Sequence, residues 1–225
     1  MKAREAVVRM VVAVAVALAG VGAYATWLAM SAPPEFHGTA YEPAPAAEFR
    51  LADTGGHATT LKSFRGTPVL LFFGYTRCTD FCPLTLDRLS RAIRDLGGRA
   101  GGVRIVFITV DPAHDTPPVL REYTARFGPS VTALSGDSAS LAAAWQGYGV
   151  YTLPNTPQGS VPAAHASAAG HDGAHGAHGG GAATGMLGHS GVVYGIDREG
   201  NLRVIITEAA PLESMRDDIR TLAKL

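Results

Sequence analysis

The segment Cys78-Thr79-Asp80-Phe81-Cys82-Pro83 has the residue types and spacing for chemistry. Two thiols four residues apart share one face of a helical turn, so they can converge on one ion or on each other. Backbone N–H groups at a helix start favour thiolate over thiol, and Arg77 adds positive charge beside them. A dithiol of lowered pKa is therefore expected. Two thiolates alone do not make a structural zinc site, which takes four protein ligands. They suit Cu(I), a soft ion that accepts few ligands, and one imidazole would complete a trigonal S₂N set. Of the eight histidines, His189 is the preferred third ligand, because it leads directly into the apolar run 191–196 and a strand there would hold it rigidly.

The other candidates carry weaker chemistry. His114 lies in Asp111-Pro112-Ala113-His114-Asp115-Thr116-Pro117 and reads first as a turn histidine. Asp111 and Asp115 read as turn and cap residues that can also hydrogen-bond into the site and fix the cysteine loop. His57 falls in a hairpin turn and has no assigned role. His165, His171, His175 and His178 form a loose cluster: either a weak auxiliary metal site or incidental members of a low-complexity insertion.

The elements that must position the dithiol follow from hydrophobic patterning. Residues 67–74 are a short, nearly all-apolar run ending in Gly74, as in a central buried strand. Residues 84–96 place Leu86, Leu89, Ile93 and Leu96 at helical spacing. Val103–Val110 reads as a parallel strand. A helix over 117–127 follows, with Thr116 as N-cap and Pro117 in its first turn. A short strand at 131–134 and a helix at 138–147 come next. Strands at 190–196 and 202–206 flank a turn at 197–201, and a helix at 212–224 closes the chain. Around Thr54-Gly55-Gly56, residues 48–61 read as a hairpin. These elements make a mixed sheet covered by helices on both faces. The dithiol sits just past the C-terminal end of a central strand, where open α/β sheets place their chemistry.

Residues 155–188 break this pattern. Their 34 positions hold nine Gly, nine Ala and four His, with no Lys or Arg, and read as a flexible insertion. At the other end, Met10–Met30 is uncharged and long enough at about 1.5 Å per residue to cross a hydrocarbon core of roughly 30 Å. Lys2, Arg4 and Arg9 precede it. The next basic residue is Arg50, which places 1–9 in the cytoplasm and the rest outside. A retained anchor at 10–30 is expected, since the run exceeds a signal-peptide core. Cleavage near Ala23–Ala25 is the alternative. Residues 31–47, rich in Pro and Ala, read as a linker to a domain over 48–225. Export permits a disulfide between the two cysteines.

Lys+Arg and Asp+Glu are 19 each, so no concentrated positive field marks a nucleic-acid binder. With 47% hydrophobic and 17% charged residues, the chain is not a disordered tail. No phosphate-binding glycine motif is present, and a monomer is the default expectation.

Three blocks in order carry a family resemblance: Gly74-Tyr75-Thr76-x-Cys78-x-x-x-Cys82-Pro83, Phe107-Ile108-Thr109-Val110-Asp111-Pro112-x-x-Asp115-Thr116-Pro117, and His189-Ser190 leading into Val193-Tyr194-x-Ile196-Asp197-x-x-Gly200. Over residues 45–225 the chain resembles the SCO/SenC family of membrane-anchored, thioredoxin-like copper proteins. The resemblance implies an α/β, thioredoxin-like mixed sheet flanked by helices, with the N-terminal hairpin and a single transmembrane helix. It implies a Cu(I)/Cu(II) site of Cys78, Cys82 and His189 on the outer face of a bacterial inner membrane. It also implies a partner, the copper-centre subunit of cytochrome c oxidase, and leaves room for another copper chaperone. Two departures stand out: Gly188 replaces the acidic residue common before the metal-binding histidine, and the insertion is long.

Three functions compete. A copper metallochaperone would use all three ligands. A thiol–disulfide oxidoreductase would attack a partner disulfide with Cys78 and resolve with Cys82; it is disfavoured by the three-residue spacer and by the lack of a proline between Pro162 and His189. A peroxide-reducing enzyme would need Thr76 and Arg77 arranged around a cysteine.

Overall fold

In a computed structural model, the structure describes residues 2–31, 34–150 and 191–225. The chain divides into two units, Met1–Glu35 and Phe36–Leu225.

The first unit is one helix, α1 (Lys2–Ser31). Its stretch Val7–Trp27 has a mean hydropathy of 2.1 over 21 residues, long and apolar enough to cross a membrane.

The second unit is built on one eight-stranded sheet, with strands β1 (Thr39–Pro45), β2 (Arg50–Asp53), β3 (Ala58–Thr60), β4 (Val69–Gly74), β5 (Arg104–Thr109), β6 (Val131–Ser135), β7 (Val192–Ile196) and β8 (Asn201–Thr207). Their spatial order is β1-β8-β7-β4-β5-β6-β2-β3. Strands β4, β5 and β6 run parallel, and β7 is antiparallel to β4. The helices are α2 (Phe81–Leu96), α3 (Pro117–Ala125), α4 (Ser138–Gly147) and α5 (Leu212–Leu222).

The central strand is apolar throughout because both of its faces are covered. Period-two alternation sends Leu70 and Phe72 into one core, with Ile105 and Phe107 from β5. Helices α2, α3 and α5 close that core with Leu86, Leu89, Leu120, Met215 and Ile219. Val69, Leu71 and Phe73 enter the opposite core, with Val106, Ile108 and Leu141 of α4. Each fully buried Leu, Ile or Phe contributes about 1.5–3 kcal/mol relative to exposure, so β4 and β5 are the most strongly held elements. On α2, Ala92 fills the buried stripe while Ile93 packs only partly against it.

Two registers decide where the chemistry falls. Gly74 pairs with Thr109, so the loops leaving β4 and β5 emerge side by side. Phe72 pairs with Val193 on an antiparallel strand, so the chain enters β7 at that same end of the sheet.

The hairpin forms as expected from β2 and β3, with Gly56 at φ 84° and the Asp53 carboxylate accepting from the amides of Gly55 and His57. The linker expected over 31–47 is in part structured. Thr39–Pro45 adds β1 to the sheet edge, antiparallel to β8 with Thr39 opposite Ile205. Its two prolines are compatible with an edge strand, which needs only half its N–H groups. Buried Asp218 of α5 anchors its start by accepting from the amides of His37 (2.6 Å) and Gly38 (3.0 Å). A Cβ at position 38 would lie 2.6 Å from the Ile205 carbonyl oxygen, so this approach requires glycine. The insertion at 155–188 lies outside the described residues.

Candidate metal and thiol site

Strand β4 ends at Gly74, and the chain turns through residues 75–80 into α2. Cys78 lies in that turn, with its amide donating to the Tyr75 carbonyl at 3.3 Å. Cys82 lies in the first turn of α2, where its otherwise unpaired N–H donates to the Cys78 sulfur at 3.3 Å. The i, i+4 spacing thus brings the two thiols together, and they are unbridged. Cys78 is 8% exposed and Cys82 fully buried.

Gly74 makes room for this arrangement. A Cβ there would lie 2.8 Å from the Cys82 sulfur and 2.7 Å from the Phe107 ring. The sulfur therefore sits over bare backbone at the strand end.

The expectation of a lowered pKa fails at Cys82. Burial pushes this thiol well up, and the neighbouring Cys78 adds to the effect, while the Tyr75 backbone amide opposes it. Arg77 does not offset this, because its guanidinium is committed elsewhere: Nε and Nη2 both donate to Asp111 Oδ2, at 3.1 and 2.7 Å.

The turn after β5 holds the cysteine loop through two carboxylates. Asp115 is buried and accepts from the Thr76 amide (3.2 Å), the Thr76 hydroxyl (2.5 Å) and the Thr109 hydroxyl (2.5 Å). Asp111 receives Arg77 and bonds His114 Nδ1 at 2.9 Å. Burial raises the Asp111 pKa, but His114 and Arg77 outweigh it and hold the carboxyl below its ordinary value. Asp115 and Asp111 thus hold Thr76 and Arg77, the two residues that lead into Cys78. His114 is a turn residue tied to Asp111, and His57 sits exposed beside Asp53.

Cys78 and Cys82 come together, and Asp115 and Asp111 are tied to the residues just before them through Thr76 and Arg77. His189, His165, His171, His175 and His178 lie outside the described residues. Among the described residues no group of three or more His, Cys, Asp and Glu could hold a metal. Sequence reasoning gave Thr76, Thr109 and Gly74 no part in holding the cysteine loop. Thr76 and Gly74 stand within the same short block as the cysteines, but the roles of all three appear only once β5 lies beside β4.

A mixed sheet with parallel central strands, and a dithiol at the junction of the central strand and the next helix, defines a thioredoxin-like protein. Comparison with known proteins narrows the class. The SCO1/SenC family model matches residues 38–224, and the chain belongs to that family. The mitochondrial SCO2 homolog of Bos taurus is 35% identical over 145 residues, covering 60% of this chain and 54% of that protein. The copper-bound structure of Bradyrhizobium japonicum ScoI is 32% identical with a TM-score of 0.59, covering 80% of this chain and 99% of that one. Copper-bound yeast Sco1 is 29% identical with a TM-score of 0.61, covering 79% and 87%. The chain spans about half the length of the curated relatives it matches.

Proposed function

We propose that this protein carries copper, held by Cys78, Cys82 and His189, to the copper-centre subunit of cytochrome c oxidase. The observation that carries the reading is the pairing of the two sulfurs at the end of β4, with the Cys82 N–H on the Cys78 sulfur. Two adjacent soft donors with no hard carboxylate among them suit Cu(I). Copper-bound structures of similar proteins support the same cargo. The entry of β7 beside β4 at the dithiol end supports His189 as third ligand. Transfer proceeds by ligand exchange: an acceptor thiolate binds copper as one donor leaves, so the ion is never free. The acceptor meets Cys78 first, the more exposed of the two.

In this reading α1 anchors the chain in a bacterial inner membrane, with the basic residues Lys2, Arg4 and Arg9 inside and the copper site on the outer face. Another copper chaperone is the donor, and the carrier acts as a monomer. The histidines at 165, 171, 175 and 178 collect further copper weakly.

The same exposure difference favours a second reading, reduction of a disulfide in the oxidase copper site. The Cys78 thiolate attacks one partner sulfur, and the other leaves as a thiolate and takes a proton. Cys82, losing its proton, then attacks the Cys78 sulfur and releases the second partner thiol. The partner gains two electrons, and this protein becomes a disulfide.

The test is titration of the full reduced chain in detergent with Cu(I), anaerobically, against a competing chelator. One tight copper, lost in Cys82→Ser and strongly weakened in His189→Ala, supports the carrier. Absence of a tight site refutes it and leaves the redox pair. Weaker copper retained by both variants assigns the histidines of 165–178.

A further inference from the structure

Outside α1, the described residues expose four large apolar side chains: Tyr41, Phe81, Leu84 and Val119. Tyr41 lies on the edge strand β1. The other three belong to the dithiol end. Phe81 (50% exposed) stands between the two cysteines, and Leu84 (55% exposed) follows it by three residues on α2. Val119 (40% exposed) is in the first turn of α3. The two helix starts are tied together, because the Thr76 amide, two residues before Cys78, donates to Asp115, two residues before α3 (3.2 Å). Apolar groups left exposed together and rimmed by polar residues mark an interaction surface.

The outward charge around these residues is one-sided. Asp87 follows Leu84 by three residues and Glu122 follows Val119 by three, a spacing that sets each carboxylate beside its apolar neighbour on the helix. Asp80 stands at the N-cap of α2. All three are exposed, and none makes an ion pair among the described residues. The neighbouring guanidinium groups are turned onto the protein itself: Arg77 onto Asp111, Arg88 onto the carbonyls of Glu208 and Ala210, and Arg121 onto the carbonyl of Thr54. Cys78 is only 8% exposed, so a sulfur of another protein reaches it only in close contact, and that contact falls on the helix starts beside it.

We propose that Phe81, Leu84 and Val119, with Asp80, Asp87 and Glu122 around them, form the docking face for the copper acceptor, a protein whose sulfur donors sit in an apolar surface ringed by Lys and Arg. The apolar centre holds the complex by excluding water, and the carboxylates steer a basic rim onto it. The inference rests on the carrier reading above for the identity of the acceptor. The face itself is defined by exposure and charge alone.

The test measures binding of the metal-free copper-centre domain of the oxidase subunit, carrying a fluorophore, to the full reduced chain in detergent, by anisotropy. No copper is needed, so docking and copper binding are read separately. Leu84→Ser combined with Val119→Ser is expected to raise the dissociation constant about tenfold. Asp87→Lys combined with Glu122→Lys is expected to weaken binding at low ionic strength and to flatten its salt dependence. Tyr41→Ser is the control, an exposed ring outside the face, and is expected to change neither. Cu(I) affinity against a chelator is expected to stay at the wild-type level in all three variants. Binding equal to wild type in Leu84→Ser/Val119→Ser, or an equal loss in Tyr41→Ser, overturns the inference while the carrier reading stands. A wild-type chain that binds copper but not the domain also overturns it. A wild-type chain that binds the domain but no copper refutes the carrier reading, and the tenfold loss in Leu84→Ser/Val119→Ser then supports the docking face by itself. Self-association of the chain that the same double variant abolishes assigns the face to a second copy and overturns the inference.

Discussion

Replacing Asp115 with Ala removes the acceptor that ties the cysteine loop to β5. Three donors lose their partner: the Thr76 amide, the Thr76 hydroxyl and the Thr109 hydroxyl. Thr109 is fully buried, so solvent cannot replace the lost bond. Its oxygen still accepts from the Asp111 amide at 2.9 Å, which leaves only its own proton orphaned. Each buried donor left unsatisfied costs about 1–3 kcal/mol. The Thr76 groups are half-buried and recover part of that from water, so the total is set at about 3 kcal/mol. For a domain of this size about 1 kcal/mol corresponds to 2–4 °C in Tm, giving a fall of roughly 6–12 °C. The assay is thermal unfolding of the full chain in detergent, followed by fluorescence of Trp145. That indole donates to the Thr109 carbonyl at 3.1 Å and reports on the same turn. Thiol-labelling kinetics of Cys82 should accelerate, because the loop that covers it is released. Asp115→Asn, which keeps an acceptor oxygen, should lose about half as much. A Tm within about 2 °C of wild type, with unchanged labelling in Asp115→Ala, would refute the argument that this carboxylate holds the loop.

Gly74→Ala should destabilise the protein by about 1–3 kcal/mol through overpacking, since its Cβ meets the Phe107 ring at 2.7 Å and the Cys82 sulfur at 2.8 Å. Chemical denaturation checks this, and displacement of the sulfur should appear as weaker Cu(I) binding in the chelator competition. Asp111, whose folded pKa is held below its unfolded one, contributes stability that is present above the unfolded value of about 3.9 and lost as pH falls through the folded value. Asp111→Asn should flatten that acid limb of the stability–pH curve relative to wild type, and an identical limb would count against the pairing with Arg77 and His114. Asp218→Ala leaves the amides of His37 and Gly38 without acceptors and should release β1. Limited proteolysis should then cut within residues 36–45 at least about tenfold faster, the factor for roughly 1.4 kcal/mol of local opening. Unchanged cleavage would show that pairing with β8 alone holds the strand.

Much of this protein is decided by local pattern. The all-apolar run of β4 needs no partner to be recognised, because only a strand buried on both faces is apolar throughout. The spacing of Cys78 and Cys82 likewise places two sulfurs together wherever a helix begins between them. Length and hydropathy mark α1 as a candidate membrane span for the same reason: the property resides in consecutive residues.

What depends on neighbours distant in sequence was not legible. Thr39–Pro45, with every residue exposed, carries no amphipathic signal and becomes a strand only because β8 offers an unpaired edge. The sequence placed Arg77 beside the thiols as a source of positive charge. The fold turned its guanidinium onto Asp111 and buried Cys82, so desolvation outweighs the helix start and raises that thiol. Sequence by itself determined which groups can react, through residue type and short spacing. Tertiary structure decided their protonation, their accessibility and the donors set around them, because burial and hydrogen-bond partners are properties of the packed β4–β5 end and not of any one segment.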